Sequence, residues 1–158
     1  MRLNPEMQGT LDSLCGLYAI TNAFRLALKD KEENGEKIFH TILDCIPNNQ
    51  LARFIKLGMT LRQVLYVLRR SAPKFGLAFE VVPCARKGRF QKLAKQQYPL
   101  IIGVEDNNKI WGGGHWTVIR KITPKHVKLQ DSSVFARQVS RRKFPEFDMK
   151  EIIRVYKP

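Results

Sequence analysis

Cys15-Gly16-Leu17-Tyr18-Ala19-Ile20-Thr21-Asn22-Ala23-Phe24-Arg25-Leu26-Ala27-Leu28-Lys29 reads as a helix that is apolar on most sides, through Leu17, Ala19, Ile20, Ala23, Phe24 and Ala27. A helix apolar nearly all round is normally buried. Asp12 and Ser13 lie just upstream as candidates for its N-cap. Working outward, Asp30 to Glu36 is polar, carries Gly35 and reads as a loop. Ile38, Phe39, Ile42, Leu43 and Ile46 suit a second helix that stops before Pro47. Leu51 to Leu57 suits a short third helix ended by Gly58, and Thr60 can cap a fourth with Leu61, Val64, Leu65 and Leu68 on one face. After Pro73 the texture changes. Phe79 to Val82 reads as a strand, residues 88–97 as a basic amphipathic helix, and Leu100 to Val104 as a central strand apolar on both faces. Asp106-Asn107-Asn108 is a turn cluster. Trp116 to Ile122, Val127 to Gln130 and Glu151 to Tyr156 supply three more strands. Helices first and a mostly antiparallel sheet afterwards predict a two-layer α+β fold, with residues 1–158 as one domain.

Bulk properties exclude several classes. The 158 residues carry 44% hydrophobic and 27% charged side chains, ordinary for a folded chain able to bury a real core. No apolar run approaches the ~20 residues that cross a bilayer. The opening Met1-Arg2-Leu3-Asn4-Pro5-Glu6 lacks the apolar stretch of a signal peptide. Cys15, Cys45 and Cys84 are an odd, sparse set without metal-ligand spacing, so neither a disulfide scaffold nor a bound metal is expected, and no cofactor motif is seen. The expected location is a reducing cytoplasm, or export by a machine that needs no signal peptide.

Three separated places hold the residue types of a nucleophilic site. Cys15 opens the buried helix, where backbone N–H groups and the positive end of the macrodipole favour a thiolate. The alternative makes Cys15 a small buried apolar residue, the reading given to Cys45 and Cys84. In Gly112-Gly113-Gly114-His115-Trp116, the histidine opens a strand behind three glycines, which serve either a close-approaching substrate or a flexible turn. In Leu129-Gln130-Asp131-Ser132, the aspartate either begins a turn or serves the histidine. A turn centred at 123–124 would pair His115 with Asp131, Thr117 with Leu129 and Ile119 with Val127, all on one face. Asp131 could then fix the tautomer of the imidazole and stabilise its cation. A slip of one residue would separate the two. Jointly the three are a nucleophile, a base and an orienter.

The order Gln8, Cys15-Gly16, Gly114-His115-Trp116, Asp131 resembles the papain-like cysteine peptidases, most closely their compact branch that processes bacteriocin leaders. Six residues separate Gln8 from Cys15, one more than is usual in that superfamily. The resemblance implies a papain-like two-layer domain whose nucleophile helix packs on the sheet. It also implies that Cys15 attacks an amide carbonyl to form a thioester, with His115 as base and acid, Asp131 as orienter and Gln8 helping to hold the oxyanion. Gly113, Gly114, Trp111 and Trp116 would lie along the substrate, although Trp116 could equally shield the Asp–His contact or fill the core. Neither a pro-segment nor an exporter segment is read in the chain, which favours a free-standing bacterial peptidase, effector or toxin.

The net charge is +14 and unevenly spread. Residues 1–50 hold five basic and seven acidic groups, and residues 51–158 hold 23 and seven. Arg86, Lys87, Arg89, Lys92 and Lys95 gather in one stretch, and Arg137, Arg141, Arg142 and Lys143 in another. Such runs are solvated surface or attract an acidic partner. The expected partner is a peptide or protein substrate with acidic character; nucleic acid ranks second, because no nucleic-acid-binding motif accompanies the charge. Peptide or isopeptide hydrolysis is the leading expectation. Glutamine deamidation or acyl transfer with the same residues, or a non-catalytic basic binding module, are the alternatives. Oligomeric state is not legible.

Overall fold

In a computed structural model, described over residues 14–29, 34–82, 99–105, 114–132, 138–140 and 148–158, four helices precede a six-stranded sheet. The helices are α1 (Cys15–Leu28), α2 (Gly35–Leu43), α3 (Asn48–Leu57) and α4 (Leu61–Ser71), the last continued by a 3-10 turn, Ala72–Phe75. The strands are β1 (Ala78–Val81), β2 (Leu100–Glu105), β3 (Gly114–Ile122), β4 (His126–Leu129), β5 (Gln138–Ser140) and β6 (Asp148–Tyr156). They lie in the order β1-β6-β2-β3-β4-β5, and every neighbouring pair is antiparallel. The two-layer α+β expectation holds.

Leu17, Ile20, Ala23 and Phe24 of α1 are fully buried and join Val64, Val67 and Leu68 of α4 in one core. Trp116 and Val118 of β3, Ile101 of β2 and Ile153 and Val155 of β6 complete it from the sheet. Alternate residues of the same strands, Leu100, Ile102, Ile119 and Ile152, are buried as well, as is Leu129 of β4. That double burial explains why β2 reads as continuously apolar.

Local differences have local reasons. Gly35 begins α2 instead of closing a loop, with Glu36 in the first turn, where a negative charge suits the helix dipole. The third helix begins at Asn48, earlier than Leu51, because Pro47 sits extended at its N-cap and its carbonyl takes the Gln50 N–H at 2.8 Å. The cap of α1 is Leu14, which supplies no side-chain bond; Asp12 and Ser13 lie outside the described residues. So do the stretch 88–97, the cluster 106–108, Cys84 and both basic runs. Strand β5, Gln138-Val139-Ser140, is three residues long, too short for its alternation to mark a strand in the sequence.

The β3–β4 register differs from the expected one. Ile119 pairs with Leu129, then Lys121 with Lys128 and Ile122 with Val127, so Arg120 is an extra residue in β3. The turn is tight, with the Thr123 N–H donating to the His126 carbonyl at 2.8 Å. Had that pairing run on unbroken, Asp131 would point away from the face of His115. The bulge at Arg120 absorbs one residue and returns it. Continuing past Leu129, Gln130 N–H bonds the Val118 carbonyl at 2.8 Å, which puts Asp131 opposite Thr117. The expected pairs were therefore wrong by two positions, a shift that preserves the face.

Candidate active site

Cys15 is the first residue of α1 and 8% exposed. The Leu14 carbonyl before it accepts the N–H groups of Leu17 and Tyr18, at 2.8 and 3.1 Å, so the first turn is closed around the cysteine. His115 is the second residue of β3, opposite Val104 of β2, and also 8% exposed. Asp131 follows β4 and is fully buried between the buried Gln130 and Ser132.

These three side chains meet. His115 Nε2 stands 3.1 Å from Asp131 Oδ2. Asp131 sits one step diagonally across the strands from His115, within reach of a long side chain. Cys15 hydrogen-bonds the same imidazole, and with Nε2 given to Asp131 the nitrogen left for it is Nδ1. Burial pushes the imidazolium down. Hydrogen bonds to Asp131 and to Cys15, with the negative charge of both, outweigh burial and raise His115 from 6.5 to about 9. The ring is thus favoured as a cation between Asp131 and Cys15, an arrangement able to pass a proton to a departing amine.

The other sequence candidates divide. Gly114 is exposed, and no atom stands within 4 Å of where a Cβ would be. Trp116 is buried in the helix-facing core, and its Nε1–H donates to the Met59 carbonyl at 2.7 Å. By the alternation of the strand it lies on the opposite side of β3 from His115. Gln8, Trp111 and Gly113 lie outside the described residues. Among the described residues no group of three His, Cys, Asp or Glu is close enough to hold a metal ion, and no helix is long and apolar enough to cross a membrane.

Two neighbours were missed by sequence reasoning. Met59 packs on Gly16, where an added Cβ would stand 2.9 Å from its Sδ. The one available signal was the glycine itself, which costs helix stability and so marks a close approach. Thr117, opposite Asp131, is 1% exposed, and its hydroxyl has no hydrogen-bond partner among the described residues.

No protein-family model matches the chain, and no curated protein matches it significantly. Solved structures do. A double glycine motif protease from an AMS/PCAT transporter, crystallised with its leader peptide, aligns over 96% of this chain and 89% of its own, at 17% identity and a TM-score of 0.57. The peptidase domain of Streptococcus ComA, a bifunctional ABC transporter of a quorum-sensing pathway, aligns over 98% and 97%, at 13% identity and a TM-score of 0.59. The peptidase domain of Streptococcus mutans ComA aligns over 98% of both chains, at 15% identity and a TM-score of 0.54. The chain has the fold of these peptidase domains.

Proposed function

We propose that this chain is a cysteine peptidase-like hydrolase that cleaves an amide bond through a thioester at Cys15. The observation that carries the reading is the buried His115 imidazole, hydrogen-bonded to Asp131 on one side and to Cys15 on the other. In the reactive state the Sγ proton rests on His115, and the thiolate attacks the carbonyl carbon. The oxyanion is held by the Cys15 backbone N–H at the start of α1, with the Gln8 side-chain amide as second donor. Collapse expels the amine, which leaves with the proton from His115. A water that His115 deprotonates then cleaves the thioester and restores Cys15. Asp131 keeps the ring oriented and its cation stabilised throughout.

The shared fold with double glycine motif peptidase domains, one of them solved with a leader peptide, makes peptides ending a leader in Gly-Gly the first substrates to try. Action as a bacterial effector or toxin on a protein with an acidic segment is the finer part of the proposal, supported by the charge of +14. Deamidation and acyl transfer use the same groups and differ in product, since deamidation releases ammonia.

The test is Cys15→Ala. It should abolish cleavage of a leader-peptide panel while melting within a few degrees of the parent. Mass-mapped iodoacetamide labelling should also find Cys15 alkylated far faster at pH 7 than Cys45, which is buried and bonds the Thr41 carbonyl. Equal labelling rates would reject the nucleophile assignment.

A further inference from the structure

We propose that Met59 is a positioning residue that holds the Cys15 and His115 side chains at a fixed separation. The inference rests on the catalytic reading above and adds what sets its geometry. Cys15 and His115 belong to different layers, and no chain segment links them directly. Met59 touches the residue after each. Its side chain packs on Gly16, with Sδ and Cβ at 2.9 and 3.1 Å from the point a Cβ there would occupy. Its carbonyl receives the Trp116 indole N–H at 2.7 Å in a buried bond. One residue thus spans the joint between nucleophile helix and base strand.

Met59 is itself held on both flanks. Gly58 before it adopts φ 72°, a left-handed conformation that favours glycine, and its N–H bonds the Phe54 carbonyl at 2.9 Å. Thr60 after it caps α4, with its N–H donating to Gln63 Oε1 at 2.7 Å. Met59 is 7% exposed, so the contact is packed and dry. A support fixed at both ends transmits position. Reacting groups misplaced by ~1 Å can lose about 100-fold in rate, which makes such a support matter to chemistry.

The test uses Met59→Ala, which empties the space over Gly16, Trp116→Phe, which removes the indole donor, and Met59→Leu as the conservative control. Val67→Ala, in the same core but in neither the Gly16 contact nor the Trp116 hydrogen bond, reports what destabilisation alone does. The readouts are the pH profile of Cys15 alkylation by iodoacetamide and the NMR titration of His115, both in the full chain. Met59→Ala and Trp116→Phe should each slow alkylation at pH 7 by about 10-fold and lower the His115 pKa by about one unit. Met59→Leu should restore most of the rate, and Val67→Ala should leave both readouts in place. Parent-like profiles in folded Met59→Ala and Trp116→Phe would overturn the proposal, as would an equal loss in Val67→Ala. If parental Cys15 labels no faster than Cys45, the catalytic reading fails, and the His115 titration alone still decides whether Met59 holds the pair together.

Discussion

The Cys15 end of the site and the His115–Asp131 end are built on different physics. Cys15 owes its place to one helix: α1 buries Leu17, Ile20, Ala23 and Phe24, and its first residue falls at the helix start. That arrangement follows from contiguous residues with a 3.6 period. The His115–Asp131 contact depends on pairing between strands with a period of two, where one extra residue reverses every side chain. The bulge at Arg120 supplies the one-residue correction. A helix position tolerates error of a fraction of a turn; a strand pair is right or wrong.

Single-residue length changes break the comparison most forcefully. An alanine inserted between Leu129 and Gln130 carries Asp131 onto the opposite face of β4. His115 then loses its partner, its pKa falls, and Cys15 alkylation at pH 7 should drop by about 100-fold. Deleting Arg120 removes the bulged residue but leaves Ile119 opposite Leu129. That variant should keep both the raised His115 titration and the reactive cysteine. Identical behaviour of the two length variants, read by NMR and labelling, would refute the register argument.

A smaller effect separates the two ends by pH. His115 is raised from 6.5 to about 9 in the folded chain, so the native state binds its proton more tightly than the unfolded state. The stability this contributes is complete below pH 6.5 and is lost as pH rises through about 9. Urea midpoints measured from pH 6 to 10 should fall across that window in the parent and fall less in His115→Gln. A parallel fall in both would assign the loss to other groups.

The smallest effects sharpen the contrast. Ile20→Val, in the packed α1 core, should cost about 1 kcal/mol. Thr117→Val, beside Asp131, removes a buried hydroxyl that has no partner among the described residues. It should be neutral or stabilising by up to about 1 kcal/mol. A clear destabilisation by Thr117→Val would show that its hydroxyl is used.

Much of this was legible before any coordinates. Helices α1 to α4 announced themselves through apolar spacing, Pro47, Gly58 and Thr60. The meeting of His115 with Asp131 was anticipated too, but through pairs displaced by two positions. The right face was reached because the displacement was even. Trp116 illustrates the opposite difficulty. Its neighbours in sequence left substrate, shield and core all open, and only the position of the Met59 carbonyl decides for the core.

By itself the sequence determined the buried nucleophile helix, the cysteine at its start and the order of helices before strands. Each is written in consecutive residues, through periodicity and end chemistry. The tertiary structure alone decided the bulge at Arg120, the addition of β5 and the clamp of Met59 between Gly16 and Trp116. These rest on backbone hydrogen bonds and close approaches between segments far apart in the chain, and such contacts leave no periodic trace in the residues that make them.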